Sequence, residues 1–260
     1  MATWVAVSKE KHKNAGWKKF SNYSFAQVDA VTPVLLAELM HLLPYYPLAF
    51  TQNADGQYQL VVVQSLQAGV NLFVNKAGQW MAPYVPSSYR GYPFLLIPQG
   101  DQLILCVDES SENFHAELLP GDTPFMQADE LSDELQSILN FHNSRSQNQK
   151  ITQELVNKLS DSQVIVPWDI QLKPSNESDK AQSVNGLFKI DELKLRELDA
   201  QVLVDLNTSG ALSLAYAQLF SQIRLKDFSQ RYEYFNKMHQ KPMDIDLDKL
   251  FGEDDDGLKF

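Results

Sequence analysis

Three residues have the types that a mononuclear iron site uses. His115 and Glu117 lie two apart in FHAEL, so an extended strand would point both donors the same way. A His-x-carboxylate pair completed by a more distant His is a facial triad for ferrous iron and oxygen chemistry, and His142 is next in order. The ordinary reading is a surface His and Glu with no metal. We adopt it, because His142 falls in a polar helical pattern a short distance on, and we expect no cofactor. An iron-dependent oxygenase is the enzymatic alternative.

Other reactive types have simpler explanations. Cys106 sits inside the apolar run LILC, where a thiol is a small core hydrophobe with no cation nearby in sequence to activate it. Asp129-Glu130 and Asp191-Glu192 precede apolar helical periods and suit first helical turns. Asp108-Glu109 closes a strand pattern. There is no phosphate loop, dinucleotide fingerprint, GxSxG elbow, HExxH or CxxC.

The stretch QWMAPYVPSSYRGYPF is richer in recognition chemistry. Trp80, Tyr84, Tyr89, Tyr92 and Phe94 stand close together, Pro83, Pro86 and Pro93 stiffen the backbone, and Arg90 is the one cation among them. Rings on a stiff loop lose little entropy on binding, and an Arg stacks on rings or forks onto a carboxylate. Asn71, Trp80, Tyr84, Arg90 and Tyr92 are therefore the candidate partner-binding set, with a protein or peptide as the partner. The alternative is a connection folded over a sheet, its rings in the core and Arg90 an internal clamp.

Composition narrows the partners. The chain has 260 residues, 44% hydrophobic and 21% charged, which is globular. A net charge of -11 argues against nucleic acid, whose binders need a basic face. KEKHKNAGWKK is the only basic cluster, and residues 1–20 read as a solvated, mobile basic arm. No apolar run reaches the roughly 18–20 residues of a membrane span, and the N-terminal pattern is unlike a secretory signal. With one cysteine, the expected compartment is the cytoplasm.

The elements that position these residues follow from periodicity. TPVLLAELMHLL predicts a helix with Thr32 as N-cap and Pro33 at its first position. YPLAFT and QYQLVVVQSL predict a hairpin through NADG; NLFV and QWMA repeat it through NKAG; PFLLIP and DQLILCVDES form a third. Residues 129–159 are helical in pattern, with polar HNSRSQNQK as an exposed middle or a break. VIVPW and GLFKI are strand-like, and KPSNESDKAQS is a loop. DELKLRELDAQVLVDL and ALSLAYAQLFSQI predict two helices separated by a cap at Asn207-Thr208-Ser209-Gly210. The fold class is α+β: a mostly antiparallel sheet in the N-terminal half packed with helices from the C-terminal half. We expect a single domain over residues 21–240. Residues 241–260 read as an acidic, disordered tail, dispensable for folding, whose Leu and Phe residues suit docking to a partner.

GVNLFVNKAGQWMAPYVPSSYRGYPFLL followed by LILCVDES resembles the signature region of the SapC-like bacterial proteins, a family distinct from the transporter permease of the same label. YSFAQVDAVTPVLLAELMHLLPYYPLAF upstream, and DTPFMQ and GLFKIDELKLRELDAQVLVDLNTSGALSLAYAQLFSQIRL downstream, extend the resemblance over roughly residues 20–228. It implies a bacterial source and transfers no catalytic residue. It also implies an accessory role in envelope, uptake or protein-modification systems. The further alternative is a surface-layer component exported without an N-terminal signal.

Overall fold

The computed structural model describes residues 2–172 and 182–239. The loop expected over KPSNESDKAQS falls almost wholly outside them, and the tail expected over 241–260 falls outside entirely. The fold is α+β, and every strand pairing among the described residues is antiparallel. The chain forms two compact units, residues 1–22 with 87–149 and residues 23–86 with 150–260.

The second unit is built on a five-stranded sheet in the order Ile165–Pro167, Phe188–Ile190, Leu48–Gln52, Tyr58–Val63, Val31–Pro33. Its central hairpin runs in register from Leu48 opposite Val62 to Gln52 opposite Tyr58. Leu48, Ala49 and Phe50 are all buried, as are Leu60, Val61, Val62 and Val63, so both faces of this pair are covered. That is why these strands read as unbroken apolar runs rather than alternating ones. The Asn53 side-chain oxygen accepts the N–H groups of Asp55 and Gln57 at 3.0 and 2.9 Å, and Gly56 takes φ 76°. Asn75 repeats the device with Ala77 and Gln79 at 3.0 and 2.9 Å, closing the bridge of Val74 to Trp80.

Two local expectations are corrected here. Thr32 and Pro33 do not start a helix; Val31–Pro33 is the outer strand, paired with Val61–Val63. A residue before proline favours extended backbone, and an edge strand tolerates a missing N–H. The helix shrinks to a 3-10 turn, Leu36–Glu38, and one turn of α-helix, Leu39–Leu42. The helix predicted over DELKLRELDAQVLVDL splits into Glu192–Arg196 and Ala200–Ser209, the first capped by the Asp191 carboxylate accepting from Leu193 and Lys194 N–H. Gly210, at φ 90°, ends the latter and leads into Ala211–Ser221 as expected. A further helix, Phe228–His239, lies beyond the predicted elements.

Phe188 opposite Phe50 is the sole register pair between their strands. Gln218, fully buried on the Ala211–Ser221 helix, spans them instead. Its amide oxygen accepts Ile190 N–H at 2.9 Å and its amide nitrogen donates to Leu48 O at 3.1 Å. A side chain thus replaces a missing rung of the ladder and fixes the helix to the sheet.

In the first unit Trp4–Ala6 pairs with Gln102–Asp108, which pairs with Phe94–Gln99 as the predicted hairpin. Gly16–Trp17 pairs with Phe114–His115 and Thr123–Pro124. The mobile basic arm is therefore corrected: residues 4–17 carry two strands and a helical turn, and His12, Ala15 and Trp17 are buried. Ala15 and Trp17 pack with Phe94, Leu105, Val107, Phe125 and Leu135. His12 is buried, stacked on Phe125 at 5.4 Å, and its Nδ1 accepts Ser8 N–H at 3.2 Å. Lys9 and Lys11 pair with Asp129 and Glu109 at 2.8 and 2.7 Å. The apolar run of Trp4, Val5 and Ala6 is too short to outweigh the lysines as a pattern. Asp129-Glu130 is corrected too: Glu130–Leu131 is a strand against Met126–Gln127. The helix begins later, at Asp133, capped by the Ser132 hydroxyl, and runs unbroken to Asp161 through HNSRSQNQK.

Candidate functional site

The five candidate partner-binding residues fall in different places. Asn71 is fully buried and spoken for: its amide donates to Ala26 O at 2.9 Å, its oxygen accepts Phe73 N–H at 2.9 Å, and its own N–H reaches Gln27 O. Asn71, Trp80 and Tyr84 belong to the second unit, Arg90 and Tyr92 to the first. Arg90 is exposed, with its guanidinium 5.9 Å from the Phe141 ring centroid. Tyr92 is half-buried with its ring edge-on to Phe20. Burial raises its phenol pKa, against the pull of a hydrogen bond with Ser111.

The iron set is dispersed in its contacts. His115 Nδ1 bonds the Asp122 carboxylate at 2.7 Å, Glu117 is exposed, and His142 is buried against Gly91. Burial works to raise the Asp122 pKa, yet the Leu119 N–H and His115 carry it below its usual value. No group of three or more His, Cys, Asp or Glu side chains among the described residues is gathered to hold a metal. Cys106 is buried in its strand, and burial pushes its thiol up, away from the nucleophilic form.

Trp80 and Tyr84 belong to a connected ladder. Tyr46 O–H donates to Tyr84 O at 2.5 Å and accepts Trp80 Nε1–H at 2.8 Å. Tyr84 O–H donates to Glu38, whose other oxygen accepts Leu35 N–H at 3.1 Å. Tyr84 stacks on His41, and Trp80 meets Tyr23 edge-on. Burial pushes the Tyr46 phenol well up, so it stays a neutral donor despite the Trp80 bond and the nearby Arg231 charge.

The ladder ends on a cation. The Tyr46 ring stacks on Phe73 at 4.4 Å, and the Arg231 guanidinium lies 3.9 Å from the Phe73 centroid. That is close cation–π geometry. Arg231 is half-buried, and no hydrogen-bond acceptor or ion-pair partner among the described residues engages its guanidinium. Burial lowers its pKa, offset in part by Tyr46 and Asp227, and a guanidinium stays charged at neutral pH regardless. Arg231 lines a cavity of about 260 Å³ with Leu72, Met81, Asp227, Gln230 and Tyr234. Beside it Val74, Phe235 and Met238 continue a groove along the Phe228–His239 helix, which Asn75 and Lys76 also line. The arrangement suits holding an apolar segment and one negative charge. Sequence reasoning missed it because RYEYF lies beyond the predicted elements and carries no motif. Only folding brings Phe73 under Arg231.

No helix among the described residues is long and apolar enough to cross a membrane. No curated protein and no solved structure matches the chain. The SapC family model matches residues 7–228, a span that includes the Asn75 turn, the Trp80–Tyr84 ladder and Phe73 and ends where the Arg231 helix begins. The chain belongs to the SapC family.

Proposed function

We propose that this protein is a non-catalytic accessory that binds a protein or peptide segment, acting from the cytoplasm in envelope, uptake or protein-modification systems. One observation carries the reading. Met81, Tyr234 and Met238 are 39%, 41% and 41% exposed and line one groove with Leu72, Val74 and Phe235. Apolar side chains left open along a concave surface mark interaction sites, and methionine adapts to varied partners. Trp80 and Tyr84 then serve as the scaffold behind Phe73, and Asn71 fixes the turn that carries it. Arg90 and Tyr92 contribute to the other unit.

The test is capture from a lysate of the source bacterium on immobilised full chain, with Met81→Asp and Met238→Asp beside the wild type. The reading expects a partner, identified by mass spectrometry, that both variants lose. Equal recovery by wild type and both variants would sink it.

A further inference from the structure

We infer that Arg231 is a carboxylate anchor: the groove takes a peptide segment that presents a carboxylate beside an apolar side chain. This rests on the groove being the binding surface proposed above. Three observations point to that ligand class.

The first is the state of the cation. A guanidinium usually uses its fork on carboxylates or carbonyls. Here its face is spent on Phe73 at 3.9 Å, while no acceptor among the described residues takes its N–H donors. The neighbouring Asp227 is ion-paired with Arg224 at 3.3 Å. Arg231 therefore lines the cavity already oriented and with its donors unspent.

The second is charge number. Phosphate sites gather several cations or an open helix N-terminus. Asp227 occupies the residue just before the Phe228–His239 helix, and its carboxylate lies at the same cavity. Lys76 lines the adjoining groove rather than this cavity, so the cavity itself holds one Arg beside one Asp, which favours a single negative charge over a dianion.

The third is size and lining. About 260 Å³ falls below the roughly 300–1,000 Å³ of small-molecule pockets. Leu72, Met81 and Tyr234 supply apolar walls. The space suits one side chain and its carboxylate, with the rest of the segment running along Phe235 and Met238.

Because the space suits one side chain and its carboxylate, the source is an Asp or Glu side chain of the segment; a polypeptide C-terminus is the other outcome of the test, and defined probes separate the two. Residues 243–251 of this chain, MDIDLDKLF, alternate apolar and acidic side chains and supply a convenient parent sequence. Three fluorescein-labelled peptides are compared: the parent with an amidated end, its twin with every Asp changed to Asn and an amidated end, and that Asn twin with a free C-terminus. Each is titrated by anisotropy against the full chain. Each is also titrated against full chain carrying Asp244→Asn, Asp246→Asn and Asp248→Asn, so that the chain's own copy of the parent sequence cannot compete.

The Asp-bearing parent should bind at least tenfold tighter than the neutral twin. Tight binding by the free C-terminus probe alone overturns the side-chain source. The preference should vanish in Arg231→Met, fall in Arg231→Lys, which keeps charge without the fork, and weaken in 0.5 M salt. Equal binding of all three probes, with loss of binding in Met238→Asp, overturns the carboxylate anchor while leaving the groove. Absence of binding by every probe to both forms of the chain overturns the groove as well. A preference that survives in Arg231→Met assigns the anchor to another cation and sinks the inference. If Arg231→Met does not fold, the comparison of probes on wild type and Arg231→Lys decides.

Discussion

The imidazole of His142 lies directly against Gly91: a methyl group on Gly91 would fall inside contact distance of its Nε2 and Cε1, and 3.2 Å from Phe141. The glycine of YRGYP is thus a close-approach residue, where the helix Asp133–Asp161 passes the chain.

Gly91→Ala should cost about 1–3 kcal/mol in denaturant unfolding, the range for overpacking a tight site. Removing the ring should relieve the clash, so Gly91→Ala/His142→Ala should be less destabilised than the sum of the single variants. Additive costs would mean the contact is not the reason for the glycine.

His142 also gives stability a pH dependence. Burial holds its imidazole below the ordinary 6.5, with Arg145 adding to the effect and the Gly91 and Phe94 backbone opposing it. His12 is lowered as well, chiefly by burial. A lowered histidine leaves the unfolded chain holding more protons once pH drops below 6.5. Stability is then complete above that value and declines as pH falls toward the folded-state values. Chemical denaturation at pH 7.5, 6.5 and 5.5 should show this decline, and His142→Gln should flatten it. An unchanged slope in that variant would place the effect elsewhere.

Trp80 and Arg90 should separate in stability. Trp80 is half-buried and donates to Tyr46, so Trp80→Ala should cost about 3 kcal/mol. Arg90 is exposed and at the outer limit of cation–π distance from Phe141, so Arg90→Ala should cost under about 1 kcal/mol. The reverse order in equilibrium unfolding would make Arg90 the clamp of this stretch.

Gln218→Leu should cost about 2–4 kcal/mol, because the buried Ile190 N–H and Leu48 C=O each lose a partner at once. Amide exchange at Ile190 should accelerate in the variant. Unaltered exchange would show that the strands hold without the bridge.

What the sequence made legible was what it encodes locally. The Leu48–Gln52 and Tyr58–Val63 hairpin is announced by Asn53 and Gly56, residues whose side-chain oxygen and positive φ build the turn with no help from elsewhere. The Gly210 cap is local in the same way. The Trp4–Ala6 strand was illegible because its partner lies about a hundred residues on, and three residues carry no period. Of the site, the sequence singled out Trp80 and Tyr84 by type but not their roles. Those depend on Tyr46 and Glu38, which arrive through the fold. Arg231 had no signal at all, since a lone Arg outside any predicted element means nothing until a ring is placed beneath it.

The pairing of Trp4–Ala6 with Cys106–Asp108 has a consequence for how the protein is made. A ribosome adds roughly 5–20 residues per second, so the strand waits on the order of 5–20 seconds for its partner to be synthesised. Through that interval its N–H and C=O groups and the Trp4 and Val5 side chains stand open to any other strand. Its short length, and the lysines that follow it at Lys9, Lys11 and Lys13, limit what it can wrongly pair with. The charges that resemble a flexible arm in the finished sequence also guard a nascent edge during translation.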